Sequence, residues 1–118
     1  QRRNPRSSRD KEFVSVIWSG TWKTVEKFDG VFAANDLVAI GIMQACVVDG
    51  NVGIPNDLSL IGYDDIDFAA AAIVPLTSVR QPSAEIGKAA VELLMSNHDV
   101  SQNIEFQPEL VVRSSTLQ

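Results

Sequence analysis

Two pairs of adjacent polar residues are the side chains in this 118-residue chain best suited to chemistry. Asp64 and Asp65 end the stretch "SLIGYDD", and Asn35 and Asp36 follow the apolar run "VFAA". Paired carboxylates can bind a divalent metal ion, exchange protons with a substrate, cap a helix or accept hydrogen bonds from a polar ligand. An amide beside a carboxylate offers both a donor and acceptors, which suits a polyol or a heterocycle that carries N–H groups.

Metal binding or catalysis at these acids would need further residues. A divalent ion held by Asp64, Asp65 and Asp67 is one alternative, although no EF-hand spacing accompanies it. The chain has one histidine, His98, and no nucleophile elbow, phosphate loop or dinucleotide fingerprint. The sequence therefore predicts no enzymatic activity, no cofactor and no metal site, with a hydrolase or a metal-dependent enzyme that uses Asp64 and Asp65 as the minor alternative.

Helix capping is the competing explanation for the same polar residues. Asparagine and aspartate are favoured N-caps, and either Asn35 or Asp36 can begin the apolar stretch that follows them. Asp65 stands at the start of the helical stretch "DIDFAAAA" in a similar way. This alternative carries more weight for Asp36 and Asp65 than for Asn35 and Asp64.

The elements that must position these side chains alternate between strands and helices. Near-continuous apolar runs predict strands, and helical spacing predicts helices after most of them. The predicted strands are 13–18, 31–34, 58–63, 77–80 and 109–113, and the predicted helices are a weak one at 19–30 and others at 37–48, 65–72 and 82–97. Apolar strands between helices indicate an α/β fold with a parallel sheet flanked by helices on both faces. Ligands bind beyond the carboxyl ends of such strands, which is where the two polar pairs lie.

The predicted helix at 37–48 lacks a polar side, because Gln44 is its only clearly polar residue. A helix that covers one face of a sheet normally presents polar residues to water. We therefore expect this helix to be buried on two sides, either within its own domain or against another subunit.

Composition and charge exclude several classes of protein. The chain is 45% hydrophobic and 21% charged, which is ordinary for a globular domain. Its net charge is −5, and the positive residues are distributed unevenly, with five Arg or Lys among residues 1–12. We expect this basic start to be a solvated tail, with contact to phosphate or anionic lipid as the alternative, because the acidic remainder is a poor binder of nucleic acid. A single cysteine, no secretory leader and no membrane span predict a cytoplasmic protein.

Four motifs carry a family resemblance: "FDGVFAANDLVAIGIMQA", "VGIPNDLSLIGYDDIDFA", "VPLTSVRQPSAEIGKAAVELL" and "PELVVRSST". In this order they resemble the C-terminal part of the lactose/galactose repressor family of bacterial transcriptional regulators. The resemblance covers Phe28 to Thr116 and implies one lobe of a periplasmic-binding-protein-like effector domain, in which two α/β lobes close on a small ligand. We accordingly divide the chain into an atypical N-terminal segment, 1–27, and the C-terminal lobe, 28–118.

The resemblance also implies roles for particular residues. Asn35 and Asp64 match effector-contacting residues of the family, and Gln81 of "TSVRQP" matches a polar residue that lines the cleft. The expected effector is a sugar or a purine- or nucleoside-like molecule. The first apolar helix and the segment 68–72 correspond to elements of the family's homodimer interface, which here comprises Leu37, Ile40, Met43, Val47, Phe68 and Ala72.

The resemblance predicts the ligand-sensing and dimerisation part of a bacterial transcriptional regulator. Such a protein would contact DNA only through a helix-turn-helix, which this sequence does not contain, and it would not contact membranes. The alternative is the C-terminal lobe of a sugar-type solute-binding protein of a transport system.

Overall fold

The computed structural model describes residues 13–16, 28–49, 52–96 and 102–117, and of 13–16 and 48–49 it describes the backbone alone. These ranges form strands β1 (Phe13–Val16), β2 (Gly30–Ala33), β3 (Ser59–Tyr63), β4 (Thr77–Arg80) and β5 (Glu109–Val111), and helices α1 (Asp36–Gln44), α2 (Asp67–Ala71) and α3 (Ser83–Met95). The element types agree with those predicted from the sequence. The weak helix predicted at 19–30 lies mostly outside the described residues.

One sheet contains all five strands in their chain order, β1-β2-β3-β4-β5. Strands β1 to β4 are parallel, so that Val31 pairs with Leu60 in β3 and Ile61 pairs with Thr77 in β4. The prediction of a parallel sheet is therefore confirmed for these four. It is wrong for β5, which runs antiparallel to β4 because the non-helical stretch 102–108 leads the chain to the carboxyl end of β4, where Glu109 pairs with Arg80.

Helix α1 begins at an asparagine cap and packs on the centre of the sheet. The Asn35 Oδ1 accepts a hydrogen bond from the Val38 N–H at 2.9 Å, which satisfies one of the free donors of the first turn. The helix continues as a π-helical turn, Ala45–Asp49. Among the described residues α1 is buried on one side only, because Leu37 on another side is 71% exposed. A second subunit therefore remains the candidate to cover that side.

The core lies between α1 and the α1-facing side of strands β2 and β3. It consists of Val31, Ala33, Ala39, Ile42, Met43, Cys46, Ile54, Leu58, Leu60, Ala69 and Leu76, all of them buried. Burial of each large aliphatic side chain stabilises the fold by about 1.5–3 kcal/mol. This burial fixes α1, and hence its N-terminus, against the ends of β2 and β3.

The opposite face of the sheet is less completely covered. Side chains alternate along a strand, so Phe32, Ile61 and Tyr63 lie on the face away from α1, and all three are half-buried. The Phe32 and Tyr63 rings meet edge to face with centroids 6.4 Å apart. None of the residues of α3 is buried, and Leu94 is 85% exposed. Helical cover is thus confirmed for the α1 face, whereas the described residues cover the other face only in part.

The segment after β5 fastens the amino ends of two neighbouring strands. Ser115 is fully buried, and its Oγ accepts from the Thr77 N–H at 2.8 Å and donates to the Leu60 carbonyl at 2.5 Å. Its backbone accepts from the Leu60 N–H at 2.8 Å and donates to the Pro75 carbonyl at 3.0 Å. Because every polar group of Ser115 is paired, its burial costs little and joins β3 to β4.

A glycine in β3 makes the close approach of α1 to the sheet possible. A Cβ atom added to Gly62 would overlap the Asp36 carboxylate and lie 2.9 Å from the Leu76 Cδ2. We therefore expect Gly62→Ala to lower the free energy of unfolding by about 2 kcal/mol, measured by urea denaturation followed by circular dichroism. Gly87→Ala in α3 is the matched control, since nothing lies within 4 Å of its added Cβ and alanine favours helices. Equal urea midpoints for the Gly62 variant and the unchanged protein would contradict the prediction.

Candidate ligand-binding site at the carboxyl edge of the sheet

Three neighbouring parallel strands end at one edge of the sheet, and each is followed by a polar side chain. Asn35 lies two residues after β2, Asp64 directly follows β3, and Gln81 directly follows β4. The three residues predicted to bind a ligand are therefore placed at the same edge by three adjacent strands. In open α/β sheets this edge is where ligands bind.

Asp64 and Gln81 are in direct contact. The Gln81 Nε2 donates a hydrogen bond to the Asp64 Oδ1 at 3.1 Å, and the Asp64 N–H donates to the Val79 carbonyl at 2.9 Å. Asp64 is exposed, so its carboxylate retains acceptor positions that face solvent. The pair can accept hydrogen bonds from hydroxyl or N–H groups of a ligand.

Asn35 serves as the cap of α1 and also offers a second polar group. Its Oδ1 is used by the Val38 N–H, whereas the capping bond does not use the side-chain NH2 group. Asn35 is half-buried, so the NH2 group is a candidate donor to a ligand acceptor atom. Capping, which competes with ligand binding as the explanation for this residue, occurs here and is compatible with it.

Asp36 is a buried connector and not a cap. Asp36 is only 1% exposed. The Oδ1 accepts from the Ser78 Oγ at 2.6 Å, and the Oδ2 accepts from the Ile66 N–H at 2.8 Å. The capping prediction is wrong for Asp36, because Asn35 occupies the cap position and the Asp36 carboxylate turns inward to join α1 to β4 and to the start of α2.

Asp65 is an ion-paired residue and not a cap. Its Oδ2 lies 2.6 Å from the Arg80 Nη2, and its Oδ1 lies 2.6 Å from the Arg113 Nη1. The cap position of α2 is Ile66, which makes no side-chain capping bond, so the capping prediction is wrong for Asp65 as well. Among the described residues no group of three or more His, Cys, Asp or Glu side chains could hold a metal ion.

Two residues of this network, Ser78 and Arg113, were not recognised from the sequence. The Ser78 Oγ donates to the Asp36 carboxylate and accepts from the Asp65 N–H at 3.1 Å. One buried hydroxyl thus connects the residue after Asn35 with the residue after Asp64. The available signal was the hydroxyl pair "TS" at the start of β4, because hydroxyls that become buried in a sheet require hydrogen-bond partners.

The ion pairs of Asp65 predict an acid-sensitive component of stability. The Arg113 guanidinium lowers the pKa of the Asp65 carboxyl below its ordinary value of 3.8; burial opposes this shift and Arg80 supports it. Since the folded-state pKa is the lower one, this stabilisation is fully present above about pH 3.8 and is lost as the pH falls through the folded-state pKa. We expect Asp65→Asn to lower the free energy of unfolding by about 2 kcal/mol at pH 7.

The check is urea denaturation of the unchanged protein and of Asp65→Asn between neutral and strongly acidic pH. The difference between the two should shrink on acidification. Asp67→Asn, which alters an exposed acid in α2, should follow the unchanged protein throughout. A difference that is constant with pH would contradict the assignment of the ion pairs.

Polar side chains gathered at the carboxyl edge of a parallel α/β sheet are the arrangement with which open α/β folds bind ligands. The chain belongs to the family of periplasmic binding protein-like domains, whose family model matches residues 2–116. That match includes most of the segment 1–27, so the division at residue 28 stays a prediction. In the described ranges, no helix has the length and apolar character needed to cross a membrane.

Individual relatives confirm the resemblance to the lactose/galactose repressor family. The HTH-type transcriptional repressor PurR of Photobacterium profundum is 40% identical over 90 residues, which are 72% of this chain and 26% of that protein. A LacI family transcriptional regulator from Lactobacillus casei with bound glucose superposes with a TM-score of 0.68 at 32% identity, over 80% of this chain and 37% of that one. The lac repressor dimer bound to operator and the anti-inducer ONPF gives a TM-score of 0.74 at 27% identity, over 82% and 36% of the two chains. The chain thus spans about a quarter of the length of the curated relatives it matches.

Proposed function

We propose that this chain is the C-terminal, effector-binding and dimerising lobe of a bacterial transcriptional regulator. The observation that carries the proposal is the placement of Asn35, Asp64 and Gln81 after three adjacent parallel strands, with the Gln81 Nε2 bonded to the Asp64 Oδ1. The same edge carries no group of metal-ligating side chains among the described residues, and the proposed activity is reversible binding without catalysis.

The chemistry of the three side chains fits a sugar. The Asp64 carboxylate accepts hydrogen bonds from hydroxyl groups, while the amides of Asn35 and Gln81 can donate to hydroxyl or ring oxygens. The bound glucose of the Lactobacillus casei regulator supports this choice. A purine- or nucleoside-like ligand, whose N–H groups would donate to Asp64, is the alternative effector. In either case a second lobe would supply the rest of the cleft.

The relatives support a role in transcription and not in transport. The matched proteins include a transcriptional repressor and a repressor dimer bound to its operator. Closure of two lobes on an effector would change the geometry of the dimer and so couple ligand binding to DNA binding. DNA contact would reside in a helix-turn-helix headpiece, and such a regulator would work in the cytoplasm.

An NMR titration tests the ligand proposal directly. The 15N-labelled chain is titrated with glucose, ribose and adenosine in parallel, because NMR detects the millimolar affinity that we expect of a single lobe. Saturable shifts confined to the amides of Asn35, Asp64 and Gln81 for one ligand class support the proposal and identify the class. A folded chain whose signals remain unchanged with all three ligands would refute it.

The surface proposed for dimerisation is formed by α1 and the segment that contains α2. The two are joined by the bond from the Ile66 N–H to Asp36 and by one of 3.3 Å from the Val74 N–H to the Met43 Sδ. Leu37 and Phe68 are each 71% exposed on this surface. The other residues expected there are more buried: Ile40, Val47 and Ala72 are half-buried, and Met43 is fully buried.

Met43 is fully buried on the sheet-facing side of α1, so we leave it out of the proposed contact. The α1–α2 surface, defined by Leu37, Ile40, Val47, Phe68 and Ala72, remains the proposed contact between two copies. Its two exposed side chains are apolar, and their burial in a dimer would remove that apolar area from water.

Charge placed on the α1–α2 surface should prevent dimerisation. We expect Leu37→Glu combined with Phe68→Glu to shift the chain from dimer to monomer in sedimentation velocity, because an unpaired carboxylate in an apolar contact is costly to desolvate. Leu94→Glu in α3 is the control, since Leu94 is also exposed, at 85%, but lies outside this surface. A monomeric Leu94→Glu variant beside a dimeric double variant would place the contact elsewhere.

A further inference from the structure

The turn that connects β3 to α2 has an unusual backbone. Asp64 has a φ of 100° and Asp65 a φ of 50°, so two successive residues other than glycine occupy the left-handed region. Such conformations are unfavourable for L-residues with side chains and persist only where the surrounding structure enforces them. Something other than the local sequence must therefore hold this turn.

The two aspartates of the turn have opposite environments. The Asp64 side chain is exposed and makes the one bond to Gln81 described above. The Asp65 side chain is only 4% exposed and is held on both oxygens, with the Arg80 Nε at 2.7 Å and Nη2 at 2.6 Å from Oδ2, and the Arg113 Nη1 at 2.6 Å from Oδ1. Asp65 therefore has the contacts that can hold the turn, whereas Asp64 has the exposure that a ligand requires.

The two arginines are themselves anchored to the sheet. Arg80 is the last residue of β4, and its Nη1 also lies 3.7 Å from the Glu109 carboxylate of β5. The Arg113 Nη1 donates to the Leu76 carbonyl at 2.7 Å, and its backbone N–H donates to the Thr77 Oγ1 at 2.8 Å. The Asp65 carboxylate is thus tied at both ends to β4 and to the segment after β5, which forms a rigid support under the turn.

Backbone bonds complete the support. The Asp64 N–H reaches the Val79 carbonyl, and the Asp65 N–H reaches the Ser78 Oγ, which in turn is bonded to Asp36 beside the Asn35 cap. These bonds set the position of the turn along β4. They do not set the direction of the Asp64 side chain. That direction depends on the left-handed φ values of the turn, which the ion pairs of Asp65 with Arg80 and Arg113 maintain.

We propose that Asp65 is a positioning residue of the ligand site: its carboxylate, clamped between Arg80 and Arg113, holds the left-handed turn that presents Asp64 to Gln81 and to the ligand. The part that concerns ligand affinity rests on the proposed function. The part that concerns the Asp64–Gln81 contact does not, which allows the two to be tested separately.

The test uses Asp65→Asn in the complete 118-residue chain, because asparagine tolerates a left-handed φ and the change removes the charge alone. Two quantities are measured by 15N NMR: the chemical shifts of the Gln81 side-chain NH2 group, and the dissociation constant for glucose. We expect the NH2 signals to move to the values of a solvated glutamine and the dissociation constant to rise about tenfold.

Leu58→Ala is the matched control for a merely stabilising role. Leu58 is a buried core residue next to the amino end of β3, away from the turn, and its truncation destabilises the fold without touching the clamp. It should leave both quantities unchanged under conditions in which the variant is folded. Unchanged NH2 signals and affinity in folded Asp65→Asn would reduce Asp65 to a stabilising ion pair and overturn the proposal.

Two further outcomes are distinguishable. If the unchanged chain does not bind glucose or the other titrated ligands, the proposed function fails, while the Gln81 signals still decide the positioning role. If Asp65→Asn does not fold, Arg80→Gln is used instead, because Arg80 is half-exposed. This change removes one ion pair of Asp65 and keeps the one with Arg113. The Arg80 variant is expected to shift the same NH2 signals in the same direction, and unchanged signals would count against the clamp.

Discussion

Asp64→Gly is expected to weaken glucose binding by about 10- to 100-fold while leaving the fold intact, which corresponds to the loss of one or two charge-assisted hydrogen bonds. The Asp64 carboxylate is exposed at the carboxyl edge of the sheet and bonds within the chain to Gln81. Glycine is the replacement of choice because the φ of 100° is unfavourable for any other residue. The substitution should therefore remove the ligand contact of the carboxylate and also relieve backbone strain.

The measurement pairs the NMR titration with urea denaturation of the same samples. Asp64→Gly should have a free energy of unfolding equal to or slightly above that of the unchanged chain, by up to about 1 kcal/mol. Asp67→Gly is unsuitable as a control because it lies inside α2, so Asp67→Ala, an exposed acid replaced by a good helix former, is used. Normal glucose binding by Asp64→Gly would show that Asp64 does not contact the ligand. An unfolded variant would show that Asp64 is required for the fold.

The second large effect is expected at Asp36. Its carboxylate is buried and accepts hydrogen bonds from the Ser78 hydroxyl and the Ile66 N–H. Asp36→Ala leaves both donors without their acceptor in the interior, and we expect a loss of about 3–5 kcal/mol of unfolding free energy. That is a large share of the roughly 5–15 kcal/mol typical of a whole domain, so the variant should be partly unfolded at room temperature.

A double-mutant cycle tests the reason for this effect. Asp36→Ala combined with Ser78→Ala removes the donor together with its acceptor, so the double variant should be less destabilised than the sum of the two single variants. The free energies come from urea denaturation, with Asp67→Ala expected to stay within about 0.5 kcal/mol of the unchanged chain. Strictly additive losses would show that the Asp36–Ser78 contact does not contribute.

The two adjacent acids of "SLIGYDD" illustrate how tertiary contacts give identical residues different environments. Asp64 and Asp65 are identical side chains one position apart, yet one is exposed and the other is clamped by two arginines. Arg80 and Arg113 lie far from them in the chain, and no local pattern indicates the contact. The sequence separated the two, with Asp64 as the expected ligand contact and Asp65 as the expected helix cap, but it did not indicate the ion pairs that hold Asp65.

Local patterns in the sequence were sufficient to establish the order and type of the elements and the edge of the sheet at which the polar residues gather. Apolar runs and helical spacing depend on local geometry, so β2, α1, β3, β4 and α3 were each predicted close to their observed bounds. The parallel arrangement of β1 to β4 followed from the alternation of strands and helices.

The direction of β5, the inward turn of Asp36 and the ion pairs of Asp65 became known from the three-dimensional structure alone. Each depends on contacts between residues distant in the chain, such as Asp36 with Ser78 and Asp65 with Arg113. The structure also separated Met43, which lies in the core, from Leu37, which lies on the surface of the same helix. Periodicity places an apolar residue on one side of a helix, but which sides become buried depends on what packs there.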